Sequence, residues 1–239
     1  MTLERLVTAG NLTVDMAKGT GGELVIAFSS IGHDPSRPPA PEFLATATGR
    51  GTPAFPRRAL FVSDAGRSWA SDPGFGPALR QALEGVQARA PVDRILTLGL
   101  SMGAYAALVA ARHIPVDVVL AFGPQWSPLP GVIADETRWA DWTARLQSPP
   151  GWPATAPLPD AAKGWAVVCH GLVDDQDQAM AFPVQPGTDH LLFPGLTHSG
   201  LVPQLKARGG LSGLVDAALA GDRRRLLRIA TAAGGIRRK

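Results

Sequence analysis

The stretch Arg94-Ile-Leu-Thr-Leu-Gly-Leu-Ser-Met-Gly-Ala-Tyr-Ala-Ala-Leu108 decides how the chain folds. Its first half is a continuous apolar run of strand length, and its second half places small and apolar residues at helical spacing. Between the halves lies Gly99-Leu-Ser-Met-Gly103, a G-x-S-x-G pattern in the strand, turn and helix context that gives this pattern a meaning. The stretch therefore predicts a strand that turns sharply at Ser101 and enters a helix.

Ser101 is the candidate nucleophile of this stretch. A strained turn of this kind exposes the serine hydroxyl, and a Cβ at Gly99 or Gly103 would crowd the neighbouring strand and helix. The free amides of the helix N-terminus point at the same position, where they can hold an oxyanion. The alternative is a glycine-flanked turn with an ordinary helix-capping serine. The strand before the serine and the helix after it favour the nucleophile.

Buried strands alternate with helices on both sides of this stretch. Continuous apolar runs, typical of strands buried on both faces, lie at Glu23–Ser29, Ala59–Ser63, Arg94–Leu98, Val116–Phe122, Trp165–His170 and His190–Phe193. The helix candidates are Pro77–Arg89, Met102–His113, Leu211–Leu219 and Arg223–Thr231, and an antiparallel hairpin over Leu6–Ala17 comes first. This order predicts an α/β fold with a mostly parallel central sheet and helices on both faces.

One segment departs from this alternation. Residues 124–163 are rich in proline and hold four of the six tryptophans, namely Trp126, Trp139, Trp142 and Trp152. We expect a single domain over residues 1–239, in which 124–163 is a small insertion after the sixth strand. This insertion is predicted to form a lid or cap and to contain one short helix at Asp135–Leu146.

Composition limits the class of protein. The 239 residues, 45% hydrophobic and 18% charged, fit one globular domain rather than a disordered chain. The net charge of +3 is uneven, because seven of the 23 Lys and Arg residues lie in 222–239 beside one acid. Such a tail is typical of a solvated helix face, and the slightly acidic remainder argues against a nucleic-acid partner.

The sequence predicts neither cofactor nor membrane attachment. Cys169 is the single cysteine, which excludes an internal disulfide and a cysteine-rich zinc site, and no phosphate loop or dinucleotide fingerprint occurs. Glu4 and Arg5 interrupt the basic-then-apolar order of a signal peptide, and no apolar run reaches the roughly 18 residues of a membrane span. We therefore expect a cytoplasmic protein with no cofactor, no metal and no membrane partner.

A nucleophilic serine needs a base and an orienting acid, which follow it along the chain in the order Ser, Asp/Glu, His in this architecture. The strand Trp165–His170 leads into Gly171-Leu-Val-Asp-Asp-Gln-Asp177, which places three carboxylates just past the carboxyl edge of the sheet. We predict Asp174 as the acid, with Asp177 and Asp175 as the alternatives.

His198 is the candidate base. After the three carboxylates the chain has two histidines, His190 and His198. His190 begins the last buried strand, at the opposite end of the sheet, whereas His198 lies in the loop that leaves this strand. His170, inside a buried strand, is typical of a core histidine. The sequence therefore predicts a triad of Ser101, Asp174 and His198.

These residues resemble those of the α/β-hydrolase superfamily, over a range from about Glu23 to Leu219. The resemblance is carried by the elbow at 99–103, by His170-Gly-Leu-Val-Asp174 and by Leu196-Thr-His-Ser-Gly200. The His-Gly-Gly-Gly segment of lipases and esterases is replaced by Ser29-Ser-Ile-Gly-His33. The resemblance implies an oxyanion hole that is built from the backbone amide of Met102 and from a second amide, at Ser30 or Ile31.

The resemblance also implies a function. It predicts a carboxylic ester hydrolase that forms an acyl-enzyme on Ser101. Because Ala121-Phe-Gly-Pro-Gln125 and the insertion resemble small bacterial hydrolases of polysaccharide and glycan machinery, the expected substrate is a small-molecule or glycan ester. Two alternatives stay open. The first is an acyltransferase onto a glycan or alcohol with the same triad, and the second is a catalytically silent binding protein on this scaffold. Trp69 and the tryptophans of the insertion either line the pocket or pack the core.

Overall fold

A nine-stranded sheet lies at the centre of the computed structural model, which describes residues 2–19, 21–32, 34, 36–49, 57–134, 136–146 and 164–239. The strands are β1 (Glu4–Ala9), β2 (Leu12–Ala17), β3 (Glu23–Phe28), β4 (Arg58–Asp64), β5 (Arg94–Leu100), β6 (Val118–Phe122), β7 (Trp165–Gly171), β8 (Thr188–Phe193) and β9 (Ile236–Arg237). Their spatial order is β1-β2-β4-β3-β5-β6-β7-β8-β9. The six central strands, β4-β3-β5-β6-β7-β8, pair in parallel. At the two edges of the sheet, β1, β2 and β9 pair antiparallel.

The helices within the described residues are α1 (Leu44–Thr48), α2 (Phe75–Gln87), α3 (Met102–Ala110), α4 (Ala140–Thr143), α5 (Gln176–Ala181), α6 (Leu201–Ala207), α7 (Gly210–Leu219) and α8 (Arg223–Ala232). None of these helices combines the length and the apolar content that crossing a bilayer requires.

Two hydrophobic clusters cover the two faces of the sheet. Alternate residues of β3 divide between them, because successive side chains of a strand point to opposite faces. Leu24 and Ile26 pack in the cluster that contains α2 and α3, whereas Val25 and Ala27 pack in the cluster that contains α6, α7 and α8. The prediction of a mostly parallel sheet with helices on both faces is therefore confirmed.

The described part of the insertion follows β6, the sixth strand. The helix expected at Asp135–Leu146 is reduced to the four residues of α4. The Glu136 carboxylate accepts the backbone N–H of Arg138 at 3.0 Å, and this local bond replaces a helical turn. Trp126, Trp139 and Trp142 pack against the core, and Trp152 lies outside the described residues. The lid or cap over 124–163 stays a prediction.

Helix α3 packs very closely against β3 and β5, and two glycines permit this contact. A Cβ added at Gly99 would overlap the carbonyl group of Gly103, and one added at Gly103 would overlap the backbone oxygen of Phe28. The crowding that the sequence predicts at both glycines is therefore present. Gly99 is crowded by the backbone of α3, and Gly103 is crowded by the backbone of β3. All nine residues of α3 are buried, so the helix has no room to move away.

We expect Gly103→Ala to lower the free energy of unfolding by at least about 2 kcal/mol, because its methyl group meets backbone atoms that cannot rotate aside. Urea denaturation of the purified variant measures the loss. Gly195→Ala is the matched control, since a Cβ there has no heavy atom within 4 Å. Equal stability of the two variants would contradict the close packing.

Candidate active site

Ser101 has an unusual backbone conformation, with φ 57° and ψ −124°. A residue with a side chain is strained at such angles, at a cost on the order of 1–3 kcal/mol. Backbone bonds on both sides hold this turn. The Ser101 N–H donates to the Phe122 carbonyl at 2.8 Å, and the Ser101 carbonyl accepts the N–H of Tyr105 at 3.0 Å. The turn is thereby tied to β6 and to the first turn of α3.

The hydroxyl of Ser101 is covered rather than exposed, and the residue is only 3% accessible. The side-chain amide of Gln125 lies on it, with Nε2 donating to Ser101 Oγ at 3.0 Å. The indole N–H of Trp69 in turn donates to Gln125 Oε1, also at 3.0 Å. The exposed hydroxyl that the elbow pattern predicts is absent because Gln125, at the start of the insertion, occupies that side.

His198 forms a buried pair with a carboxylate. Its Nδ1 lies 2.5 Å from Oδ2 of Asp175, and both residues are less than a tenth exposed. Asp174 instead accepts the backbone N–H of His198 on Oδ1, at 2.6 Å. Asp174 and Asp177 are exposed and line an open cavity of about 440 Å³ beside the insertion. The structure thus brings Asp175 to the imidazole, in place of the predicted Asp174.

The physical reason lies in the turn after β7. The amides of Leu172 and Val173 donate to the carbonyls of Phe193 and Leu196, at 3.0 and 3.1 Å. These bonds hold the turn against the loop that carries His198. The side chain of Asp174 then reaches the backbone of this loop, and the next residue, Asp175, points inward at the N-cap of α5.

Gly123 connects the buried pair to the serine. It follows Phe122, the residue whose carbonyl accepts the Ser101 N–H, and its φ is 56°. A Cβ at Gly123 would lie 2.9 Å from Nδ1 of His198 and 3.3 Å from Oδ2 of Asp175. The imidazole therefore sits against the backbone that also anchors the elbow. Within the described residues, the hydrogen-bond partner of Ser101 Oγ is Gln125 and not His198.

Arg138, from the insertion, neutralises part of the charge around Asp175. Its guanidinium donates to Oδ1 of Asp175 at 2.8 Å and holds Glu136 through both Nε and a terminal nitrogen. Burial alone would raise the pKa of the Asp175 carboxyl, but the hydrogen bond from His198 and the nearby cation outweigh it and lower that pKa. Asp175 is therefore ionised at neutral pH.

His170 and His190 form a second buried pair beside the acid loop. Nδ1 of His170 lies 2.9 Å from Nε2 of His190, and Nε2 of His170 lies 2.9 Å from the carbonyl oxygen of Pro124. Burial lowers the pKa of His170 to about 4 and that of His190 to about 2, so both rings are neutral. This arrangement agrees with a core role for His170. His190 lies inside β8, which begins two residues earlier than expected.

The candidate oxyanion donors differ in their surroundings. The Ser30 N–H donates to Oε1 of Glu42 at 3.2 Å, so this amide is already engaged. In the described part of the chain, the amides of Met102 and Ile31 have no protein acceptor. The guanidinium of Arg67 binds the carbonyl of Ile31 at 2.8 Å and thereby fixes the loop after β3.

Aromatic rings surround the buried pair. The centroid of the Trp139 ring lies 5.6 Å from that of the His198 imidazole and 6.2 Å from that of the Trp69 ring. Trp69 is fully buried. The structure thus places Trp69 in the core and gives its N–H a partner at the site.

The cysteine and the possible metal-binding side chains lie as follows. The only cysteine, Cys169, is buried in β7, and burial raises the pKa of its thiol. Among the described residues, no three His, Cys, Asp or Glu side chains cluster in a way that could hold a metal ion.

Sequence reasoning missed Gln125, Glu136 and Arg138 as parts of the site. Gln125 had a usable signal, because it is a polar residue just beyond the carboxyl end of a buried strand, where sites of open α/β folds gather. Glu136 and Arg138 had none, because the helix predicted over Asp135–Leu146 forms only at Ala140–Thr143 and therefore does not set the direction of their side chains.

The sequence matches no family model, and it matches no curated protein. The fold, however, is similar to solved structures. XC6422 from Xanthomonas campestris, described as an a/b serine hydrolase without lid, superposes with a TM-score of 0.55 at 16% identity, covering 88% of this chain and 91% of its own. Est1E from Butyrivibrio proteoclasticus gives 0.57 at 13% identity, with coverages of 91% and 99%.

A putative esterase from Staphylococcus aureus gives a TM-score of 0.56 at 10% identity and covers 90% of this chain and 82% of its own. Identities this low carry information about the fold alone. The sheet order, the helices on both faces and these similarities agree with the resemblance noted in the sequence. The chain has the α/β-hydrolase fold.

Proposed function

We propose that the chain is a serine hydrolase that cleaves carboxylic esters through an acyl-enzyme on Ser101. The observation that carries the proposal is the left-handed backbone of Ser101. A glycine would adopt this conformation without strain, so a serine at this position costs stability that a purely structural turn would not require. The solved structures of similar fold, described as a serine hydrolase and as a putative esterase, support the proposal.

The proposed base is His198, and the proposed orienting acid is Asp175. The pair lies at the same edge of the sheet as Ser101, and the imidazole donates its Nδ1–H to the carboxylate. In the neutral tautomer that makes this bond, the hydrogen lies on Nδ1, and Nε2 carries the lone pair that accepts a proton. Asp174 contributes differently, because it holds the backbone N–H of His198 and so fixes the loop.

In acylation, Ser101 Oγ attacks the ester carbonyl carbon while its proton passes to Nε2 of His198. The bond from this carbon to the alcohol oxygen then breaks, and the alcohol leaves with that proton. In deacylation, water attacks the acyl carbon, gives its proton to His198, and displaces Oγ, which recovers the proton. The amides of Met102 and Ile31 are the proposed donors to the oxyanion, since the amide of Ser30 is engaged by Glu42.

The proposed substrate is a small-molecule or glycan ester, as the resemblance implies. The proposed reaction needs no cofactor, because the serine, the histidine and water supply every proton and bond that it requires.

We expect Ser101→Ala to abolish ester turnover and labelling by a fluorophosphonate probe. Loss of a nucleophile of this kind costs on the order of a millionfold in rate. Intact mass spectrometry measures the probe adduct, and hydrolysis of p-nitrophenyl acetate measures turnover. Ser71→Ala is the control, since it removes a half-buried hydroxyl that binds a carbonyl elsewhere. Labelling of the Ser101→Ala protein would refute the nucleophile.

The three carboxylates are separated by comparing Asp175→Asn, Asp174→Asn and Asp177→Asn in the same assay. We expect Asp175→Asn to lower kcat roughly ten-thousandfold, because the amide favours the wrong imidazole tautomer. Asp174→Asn should lose about tenfold at most, because its side chain binds only the loop backbone. Asp177→Asn should resemble the wild type. A larger loss in Asp174→Asn than in Asp175→Asn would overturn the assignment.

The pH profile tests the role of Arg138. In the wild type, kcat/KM should fall on the acidic side with a slope of one proton, because an imidazolium cannot accept the serine proton. Arg138→Met removes a cation that partly neutralises the Asp175 carboxylate. Without that cation, the carboxylate stabilises the imidazolium form of His198 more strongly. We expect the midpoint of the acidic limb of the Arg138→Met profile to lie at higher pH than that of the wild type.

Arg145→Met is the matched control for this profile, because Arg145 belongs to the same insertion and its side chain is exposed. Its acidic limb should coincide with that of the wild type. A limb that stays in place or moves to lower pH in Arg138→Met, in a protein that circular dichroism shows to be folded, would contradict the electrostatic coupling.

A further inference from the structure

We propose that Gln125 is a catalytic residue, which donates a hydrogen bond to the reacting oxygen of Ser101, and that Trp69 is the positioning residue that orients it. This inference rests on the proposed function, because it assigns a role within the same reaction. It starts from a continuous buried chain of donors, which runs from the indole of Trp69 through the amide of Gln125 to Ser101 Oγ.

The orientation of the amide follows from the chemistry of its neighbours. An indole N–H is a donor only, so the atom of Gln125 that faces Trp69 must be the carbonyl oxygen. The NH₂ group is then directed at Ser101, at 3.0 Å from Oγ. Gln125 is 1% exposed and Trp69 is 0% exposed, so water does not compete for either bond. The amide is therefore fixed as a donor toward the nucleophile.

This donor determines where the serine proton points. Because Oγ accepts the N–H of Gln125, its own hydrogen must be directed to a different acceptor. The imidazole of His198 lies against Gly123, the neighbour of the residue that anchors the elbow. Gln125 thus leaves the hydroxyl proton available for transfer to the base.

The same bond becomes stronger as the reaction proceeds. Negative charge develops on Oγ while its proton passes to His198, and a hydrogen bond to a charged oxygen is roughly twice as strong as one to a neutral oxygen. In deacylation the bond from Oγ to the acyl carbon breaks, and charge develops on Oγ again until His198 returns the proton. A bond that is stronger in the transition state than in the ground state raises kcat. KM should change little.

A second buried glutamine shows what a structural role looks like in this fold. The side chain of Gln178 accepts the backbone N–H of Trp126 at 2.7 Å and donates to the carbonyl of Ser127 at 3.1 Å. It therefore ties the backbone of the insertion to α5. Gln178 also donates to Oε2 of Glu136 at 3.2 Å. Gln125 differs because one of its two partners is the hydroxyl of the proposed nucleophile. The loop that presents Trp69 is itself strained, since Arg67, Trp69 and Ala70 have φ values of 49°, 49° and 58°.

The test compares Gln125→Met, Gln125→Glu and Trp69→Phe with the wild type. Gln125→Met removes the donor without adding charge. Gln125→Glu, assayed at a pH at which its carboxyl is ionised, removes the donor but keeps an oxygen that can accept the N–H of Trp69. Trp69→Phe removes the orienting N–H together with part of the ring volume of a buried side chain. Trp165→Phe is the matched control, because it deletes an indole N–H that binds Asp189 at the far end of β7.

The measurements are kcat and KM for p-nitrophenyl acetate, and the second-order rate of inactivation by a fluorophosphonate, which reports attack by Oγ alone. We expect both Gln125 variants to lose about 10- to 100-fold in kcat and in inactivation rate, with KM within about threefold of the wild type. Trp69→Phe should lose about 3- to 10-fold, since the amide can then rotate, and Trp165→Phe should lose nothing.

Three outcomes would overturn the proposal. Wild-type kcat in Gln125→Glu alone would mean that the residue serves only to hold Trp69. A raised KM with unchanged kcat would mean that it binds substrate. Wild-type rates in both Gln125 variants would leave no role for the donor, while the proposed function would stand, because the wild type still labels at Ser101. A wild type that neither labels nor turns over ester would overturn the proposed function itself, and this inference with it.

Discussion

The close contact of α3 with β3 and β5 is the constraint on which the rest of the structure depends. Gly99 and Gly103 bring backbone onto backbone, and this leaves the intervening turn no relaxed conformation. Ser101 carries the resulting strain at φ 57°, and its backbone bonds to β6 and α3 keep the turn from relaxing. The strain at Ser101 costs on the order of 1–3 kcal/mol. The burial of α3 along its whole length offsets this cost.

Much of the fold was predictable because buried strands leave a signal that needs no tertiary information. β3 to β7 are continuous apolar runs bounded by turn residues, and each was placed to within about two residues of its observed bounds. The position of Ser101 could be predicted equally well, because the two glycines and the strand before them lie within a few residues of it in the sequence. His198 followed from topology, because the loop after the last parallel strand ends at the same sheet edge.

Which of the three neighbouring carboxylates contacts His198 could not be predicted in this way. It depends on which backbone groups the turn after β7 binds, and those groups belong to Phe193 and Leu196, about twenty residues further along the chain. A turn held one residue differently would exchange the contacts that Asp174 and Asp175 make with His198. The positions of the side chains of the insertion could not be predicted for the same reason. Trp139 and Arg138 reach the site through tertiary contacts, and four residues of helix are too few to give a periodic pattern.

The buried charges around the imidazole explain why the insertion matters to the site. Glu136, Arg138 and Asp175 together carry one net negative charge, and burial keeps His170 and His190 neutral, so they add none. In the proposed reaction, a proton accepted by His198 would therefore cancel an existing charge instead of creating an unpaired one, which a buried site disfavours. In the proposed reaction, the amides at the N-terminus of α3 would meet the negative charge that forms at the substrate. Under the proposed function, the elbow would stabilise the oxyanion, and the insertion would stabilise the protonated base.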